Sequence, residues 1–136
     1  MMRYFVLCCQ LIFIFSCNNP AVKENLNIKE AEKEVMNIHD DVMPRMGEVV
    51  FLTYAIDSMM KVEKNTTKRY ELSIIHEALV KSDKDMMHWM RGYETPKEPY
   101  DSNAINYINN QKGKVSKLRV LILKSISDGK IALKIH

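Results

Sequence analysis

Beyond position 17 the chain contains no cysteine; its three are Cys8, Cys9 and Cys17. Removal of a leader ending at Ser16 would leave Cys17 alone, so the mature domain would have no disulfide, no cysteine nucleophile and no thiolate metal site. Glycine is scarce as well: the four residues at 47, 92, 113 and 129 are scattered and form no phosphate-cradling loop. There is no excess of one charge. The net charge of +3 falls to +2 once Arg3 leaves with the leader, which is no basic surface for gathering phosphates and excludes nucleic acid as a partner. Recognisable catalytic groups are also missing. Ser73, His76 and Ser82 fall on one expected helix without a third group to complete a triad, so no catalytic residue is assigned and the chain is read as non-enzymatic.

The one long apolar run, Tyr4 to Phe15, is broken only by Gln10. It has the length of a signal-peptide core and falls short of the ~20 residues that span a bilayer. Ile14-Phe15-Ser16-Cys17 then reads as a lipobox, a small residue before a cysteine that is acylated and becomes the new N-terminus, although Phe15 departs from the usual pattern. The alternatives are an ordinary secretory signal or an uncleaved anchor, and each still exports the domain. The expected organisation is a signal peptide over 1–16, a lipidated tether over 17–27 and a helical domain over 28–136. The tether is polar, contains Pro20 and lacks periodicity. No acidic run follows Cys17 closely, which places the domain on the periplasmic side of an outer membrane, with the membrane itself as a partner through the lipid.

From Ile28 apolar residues recur every seven positions: Ile28, Val35, Val42, Val49 and Ile56 in one row, Ala31, Ile38, Leu52 and Met59 in another that Arg45 interrupts. This predicts a long first helix, about Ile28 to Lys64. Pro44 lies within it and removes the bond to the Asp40 carbonyl, so a kink is expected there; a break into two helices is the alternative. Asn65-Thr66-Thr67 ends this helix and offers a hydroxyl cap to the next. A second helix, about Lys68 to Tyr93, would bury Leu72, Ile75, Leu79, Met86, Trp89 and Tyr93, with Ser82 as the small polar member. A third, about Asn103 to Ser127, capped by Asp101 or Ser102, would bury Ala104, Ile108, Val115, Leu118 and Ile122. Gln111 and Gly113 weaken its middle and Asp128-Gly129 ends it, leaving Ile131 to His136 as an extended piece or a frayed helix. Short connections favour antiparallel neighbours, so the expected fold is all-α, an up-down-up three-helix bundle with a long, Pro-kinked first helix.

A second stripe remains beside the core rows. Met36, His39, Met43, Met46 and Val50 follow at spacings of three or four on helix one, and His76, Val80, Asp83, Met87 and Met90 do so on helix two. Antiparallel pairing about Asn65 sets position 43 opposite about 88. His39, Met43, Met46, Met87 and Met90 would then form a neutral thioether and imidazole set suited to Cu(I), with Asp40, Asp83 and Trp89 supporting. A tryptophan face beside such a cation adds about 0.5–2 kcal/mol. The competing reading is packing. Methionine fills irregular core gaps and lies well against tryptophan, and the stripe can equally seat on a partner helix or a second copy in a homodimer. A haem held by His39 and a methionine would need wider opening than three helices offer.

At His39-Asp40-x-Val-Met-Pro-Arg-Met-Gly-Glu48 and Asp83-x-x-Met-Met-x-Trp-Met-x-x-Tyr93 the sequence resembles a set of small lipoproteins of Bacteroidota that often carry the label "viral A-type inclusion protein". The label stems from generic coiled-coil similarity and implies nothing about viruses. The resemblance covers the hairpin from about His39 to Tyr93 and the lipobox. It implies an exported helical lipoprotein and no particular chemistry.

Overall fold

The computed structural model describes residues 20–97, 100–101 and 103–135, with side chains from residue 25 onward; the expected leader over 1–16 and Cys17 lie outside them. Every regular element among the described residues is helical. The order is α1 (Pro20–Val42), a 3-10 turn (Met43–Arg45), α2 (Met46–Val62), α3 (Thr66–Gly92) and α4 (Ala104–Leu133). None of these helices is long and apolar enough to cross a membrane.

Helix α1 begins at Pro20, so much of the expected tether is helical. Proline suits the first helical position, where its missing N–H has no intrahelical partner to lose, and Ala21, Lys23, Glu24 and Leu26 are good helix formers. Asn25, Leu26 and Asn27 are exposed, and Ile28 is the first residue in the interior among those whose side chains are described. The core therefore starts where the heptad row starts.

Pro44 gives a single turn of 3-10 helix. Its backbone stays right-handed, with the Met46 N–H bonding the Met43 carbonyl. The principal row keeps its phase through this turn, since Val35, Val42, Val49 and Ile56 are all fully buried. In a 3-10 turn each residue advances roughly 20° further than in an α-helix. That swings Met46 into the core while Arg45, the interruption in the second row, stays half-buried. Arg45 Nε meets Glu48 Oε1 at 3.2 Å, and Lys130 Nζ of α4 meets Glu48 Oε2 at 2.6 Å, tying the turn to α4. Lys130 chiefly holds the Glu48 carboxyl below its ordinary value. The contribution of this pair is therefore present above the ordinary carboxylate range and fades as pH falls through the lowered value.

The cap of α3 is Asn65, whose side chain accepts from the Lys68 N–H at 3.0 Å; the threonine hydroxyls do not supply it. Helix α3 buries Leu72, Leu79, Ser82, Met86 and Trp89, with Ile75 and Tyr93 half-buried at its margin. Helix α4 starts after Asn103 without a side-chain cap, while the Asp101 carboxylate accepts from the Asn103 N–H at 2.8 Å. It then runs past Asp128-Gly129, the expected stop. Gly129 is buried inside the helix, where an added Cβ would lie 3.2 Å from Leu52 Cδ1. It is a point of close approach between α2 and α4, and the actual terminator is Lys134. Lys134 takes φ 55°, and Ile135 N–H bonds the Lys130 carbonyl at 3.1 Å in a Schellman-type end.

Three elements pack on α4. Glu34 pairs with Lys112 and Asp41 with Arg119, both at a sequence separation of 78, so partners along α1 and α4 advance together. Partners along α3 and α4 run in opposite senses, from Ser82 with Ser125 to Trp89 with Gln111. The ion pairs are exposed and stabilise little individually, so the buried apolar rows hold the bundle.

Candidate functional site

Trp89 lies where α1, α3 and α4 meet. The His39 ring, in the last turns of α1, sits 5.7 Å from the Trp89 ring at an interplanar angle of 36°. Tyr93, the residue that follows α3, stands 5.2 Å away on a similar tilt. On the α4 side the Trp89 indole N–H donates to Gln111 Oε1 at 3.0 Å. Both partners are buried, so the bond satisfies polar groups that would be costly to leave alone. A turn and more away, the Ser82 and Ser125 hydroxyls meet at 3.1 Å, a second buried polar bridge between α3 and α4. Burial, and after it the Glu32 carboxylate, raise the Tyr93 phenol above its ordinary value.

The sequence-derived set separates into an inner and an outer part. His39 is 15% exposed at its side chain, and its Nδ1 lies 2.8 Å from Asp40 Oδ1. The two neighbours in sequence meet despite the roughly 100° between their Cβ directions. Met46 belongs to the buried core and Met43 packs against it. Met87 and Asp83 are half-buried on α3, and Met90 reaches the surface. Val50, the last residue of the α1 stripe, is likewise exposed. The stripe thus crosses from interior to surface and is not one continuous lining. Among the described residues no three His, Cys, Asp or Glu side chains gather as a metal group would require. His88, left out of the sequence-derived set, is exposed.

Comparison with known protein families, with curated proteins and with solved structures finds no match for this chain.

Gln111 and Ser125 were not among the expected contacts. Gln111 was expected only to weaken the helix, yet it occupies the buried row between Ile108 and Val115. A polar side chain at a core position needs a partner, and the only indole of the chain is a donor without an acceptor. That complementarity was a readable signal. Ser125 had none, because it lies beside the principal row and its burial depends on Ser82 across the interface.

Proposed function

We propose that this chain is an exported, lipid-anchored, non-catalytic helical module of the cell envelope that pairs with a second copy through α2. The anchor rests on the lipobox ending at Cys17, the expected periplasmic side of an outer membrane on the residues that follow it, and the resemblance to Bacteroidota lipoproteins supports the same reading. The partner registers along α4 support an up-down-up bundle, and the 3-10 turn at Pro44 supports a kinked first helix.

The outer row of α2 carries the pairing. Gly47, Val50, Phe51, Tyr54, Ser58 and Val62 recur at helical spacing opposite Val49, Leu52 and Ile56, and none of them is charged. Phe51 is 60% and Tyr54 71% exposed. Two adjacent exposed aromatics leave a contiguous apolar area that a monomer of this size has little reason to keep. Space is open above Gly47, so a second backbone can come close. The charges that border this row, Lys61 and Asp57, pair with each other at 2.6 Å within α2, so the row offers little address for a charged partner, whereas it complements itself across a two-fold axis. We expect sedimentation of the full-length protein to show a concentration-dependent dimer. The Phe51→Lys/Tyr54→Lys variant should be monomeric with unchanged helical circular dichroism. A wild-type chain that stays monomeric throughout would overturn the reading.

The position of His39 favours a second reading, in which Cu(I) is held by His39, Met43, Met46, Met87 and Met90. The bond from Nδ1 to Asp40 directs Nε2 away from that carboxylate and fixes the tautomer, as the outer partners of metal-bound histidines do. An anaerobic Cu(I) titration against a chromophoric chelator, with a Zn(II) control, tests it. This reading expects one-to-one binding that disappears in Met43→Leu/Met46→Leu, a change that conserves volume. Absent competition, or equal retention by the variant, assigns these methionines to packing alone.

A further inference from the structure

Beside Trp89, on the outer side of the α3/α4 seam, a cleft of about 380 Å³ opens to solvent. Its floor is the indole of Trp89 with Leu118, and Gly92 leaves the α3 side of the mouth without a side chain. Gln111 lies at the floor with its Oε1 engaged by the Trp89 N–H, which turns its amide nitrogen the other way. That nitrogen has two hydrogens to donate and no protein acceptor among the described residues, and it is not sealed from solvent.

The rim is cationic. Lys112, Arg119, Lys124 and Lys130 of α4 are each engaged by a carboxylate, whereas Lys114 and Lys117, both lining the cleft, have no such partner among the described residues. One carboxylate lines the cleft, that of Asp85, and Lys81 Nζ holds it at 2.6 Å. The cleft therefore offers two ammonium groups, an oriented amide donor and an apolar floor, while its carboxylate is already occupied. His88 also lines the cleft, from its α3 side, so that two ammonium groups and an amide donor stand against one imidazole and a carboxylate paired with Lys81. This excess of donors and positive charge favours an anion, and an aromatic floor favours an apolar tail. At roughly 30 Å³ per water-sized group the space takes about a dozen non-hydrogen atoms.

We propose that this cleft binds a small amphiphilic carboxylate, with the tail on Trp89 and Leu118 and the carboxylate on Gln111, Lys114 and Lys117. Trp89 is the only tryptophan of the chain, so its emission reports the site without a label. The test titrates the full-length protein with phenylacetate and, separately, with phenylacetamide, which keeps the shape and lacks the charge. The expected result is a saturable change of Trp89 emission with a midpoint of about 1 mM, as suits a ligand of this size. Binding should weaken at least tenfold for the amide. It should weaken at least tenfold for phenylacetate in Lys114→Ala/Lys117→Ala, both exposed positions, with circular dichroism unchanged. No saturable response to phenylacetate, equal binding of the amide, or equal binding by the double variant would each overturn the proposal.

Discussion

Trp89→Ala should cost about 3–5 kcal/mol of folding stability, the range for deleting a buried aromatic side chain. A domain of this size is stable by only about 5–15 kcal/mol, so the variant should be largely unfolded at moderate urea concentrations. The expected cost is high because one side chain holds three helices. Without it His39 and Tyr93 lose the ring between them, the core loses its seal at this level, and Gln111 Oε1 loses its donor. Two further variants separate packing from the hydrogen bond. Gln111→Leu keeps the indole but leaves its N–H buried without an acceptor, at a cost of about 1–3 kcal/mol. Adding Trp89→Phe to Gln111→Leu removes both polar partners, so the pair should cost less than the two single changes combined. Urea unfolding followed by circular dichroism reads all of these. A loss below about 1 kcal/mol for Trp89→Ala would show that the indole is not the joint of the bundle.

Cys17→Ala is expected to act as an all-or-none change. Metabolic labelling with a fatty acid should disappear, and, with the leader over 1–16 exchanged for one that is cleaved without lipid, the protein should move from the membrane fraction to the soluble one. The sulfur is the only point of attachment the lipobox offers, and no helix among the described residues can span the bilayer in its place. Circular dichroism of the soluble variant should match that of the lipidated protein, because Ile28 is the first buried residue among those whose side chains are described. Undiminished labelling together with retention in the membrane would refute the anchor.

Most of the interior was legible in the chain. The sevenfold row from Ile28 to Ile56 names residues that are all fully buried, and the rows of the later helices name Leu72, Leu79, Met86, Trp89, Ile108, Val115 and Ile122 correctly. Rows of this kind work because burial of apolar area drives packing and a helix presents one face at a fixed period. The ends of helices were less legible, since a terminus depends on contacts the row does not contain. Asp128-Gly129 reads as a stop by local chemistry, but α4 continues through it, with Gly129 buried against α2 where Leu52 occupies the place a side chain would need. Asn18 to Asn27 reads as a tether because it has no apolar face, yet helix formation from Pro20 needs only favourable backbone propensities and no face at all.

The methionines mark the boundary between the two sources of information. Spacing on one helix put His39, Met43 and Met46 in a stripe, and that much followed from 3.6 residues per turn. The burial of Met46 in the core was decided by the 3-10 turn at Pro44 and by what α3 and α4 place opposite it. The sequence by itself determined the all-helical class, the buried rows and the position of the turn, because these depend on local periodicity and on one proline. Only the tertiary structure decided the Trp89–Gln111 and Ser82–Ser125 bridges, the exposed face of α2 and the cationic cleft beside Trp89. Each of these depends on which residues of distant segments come to face one another, and helical periodicity carries no information about that register.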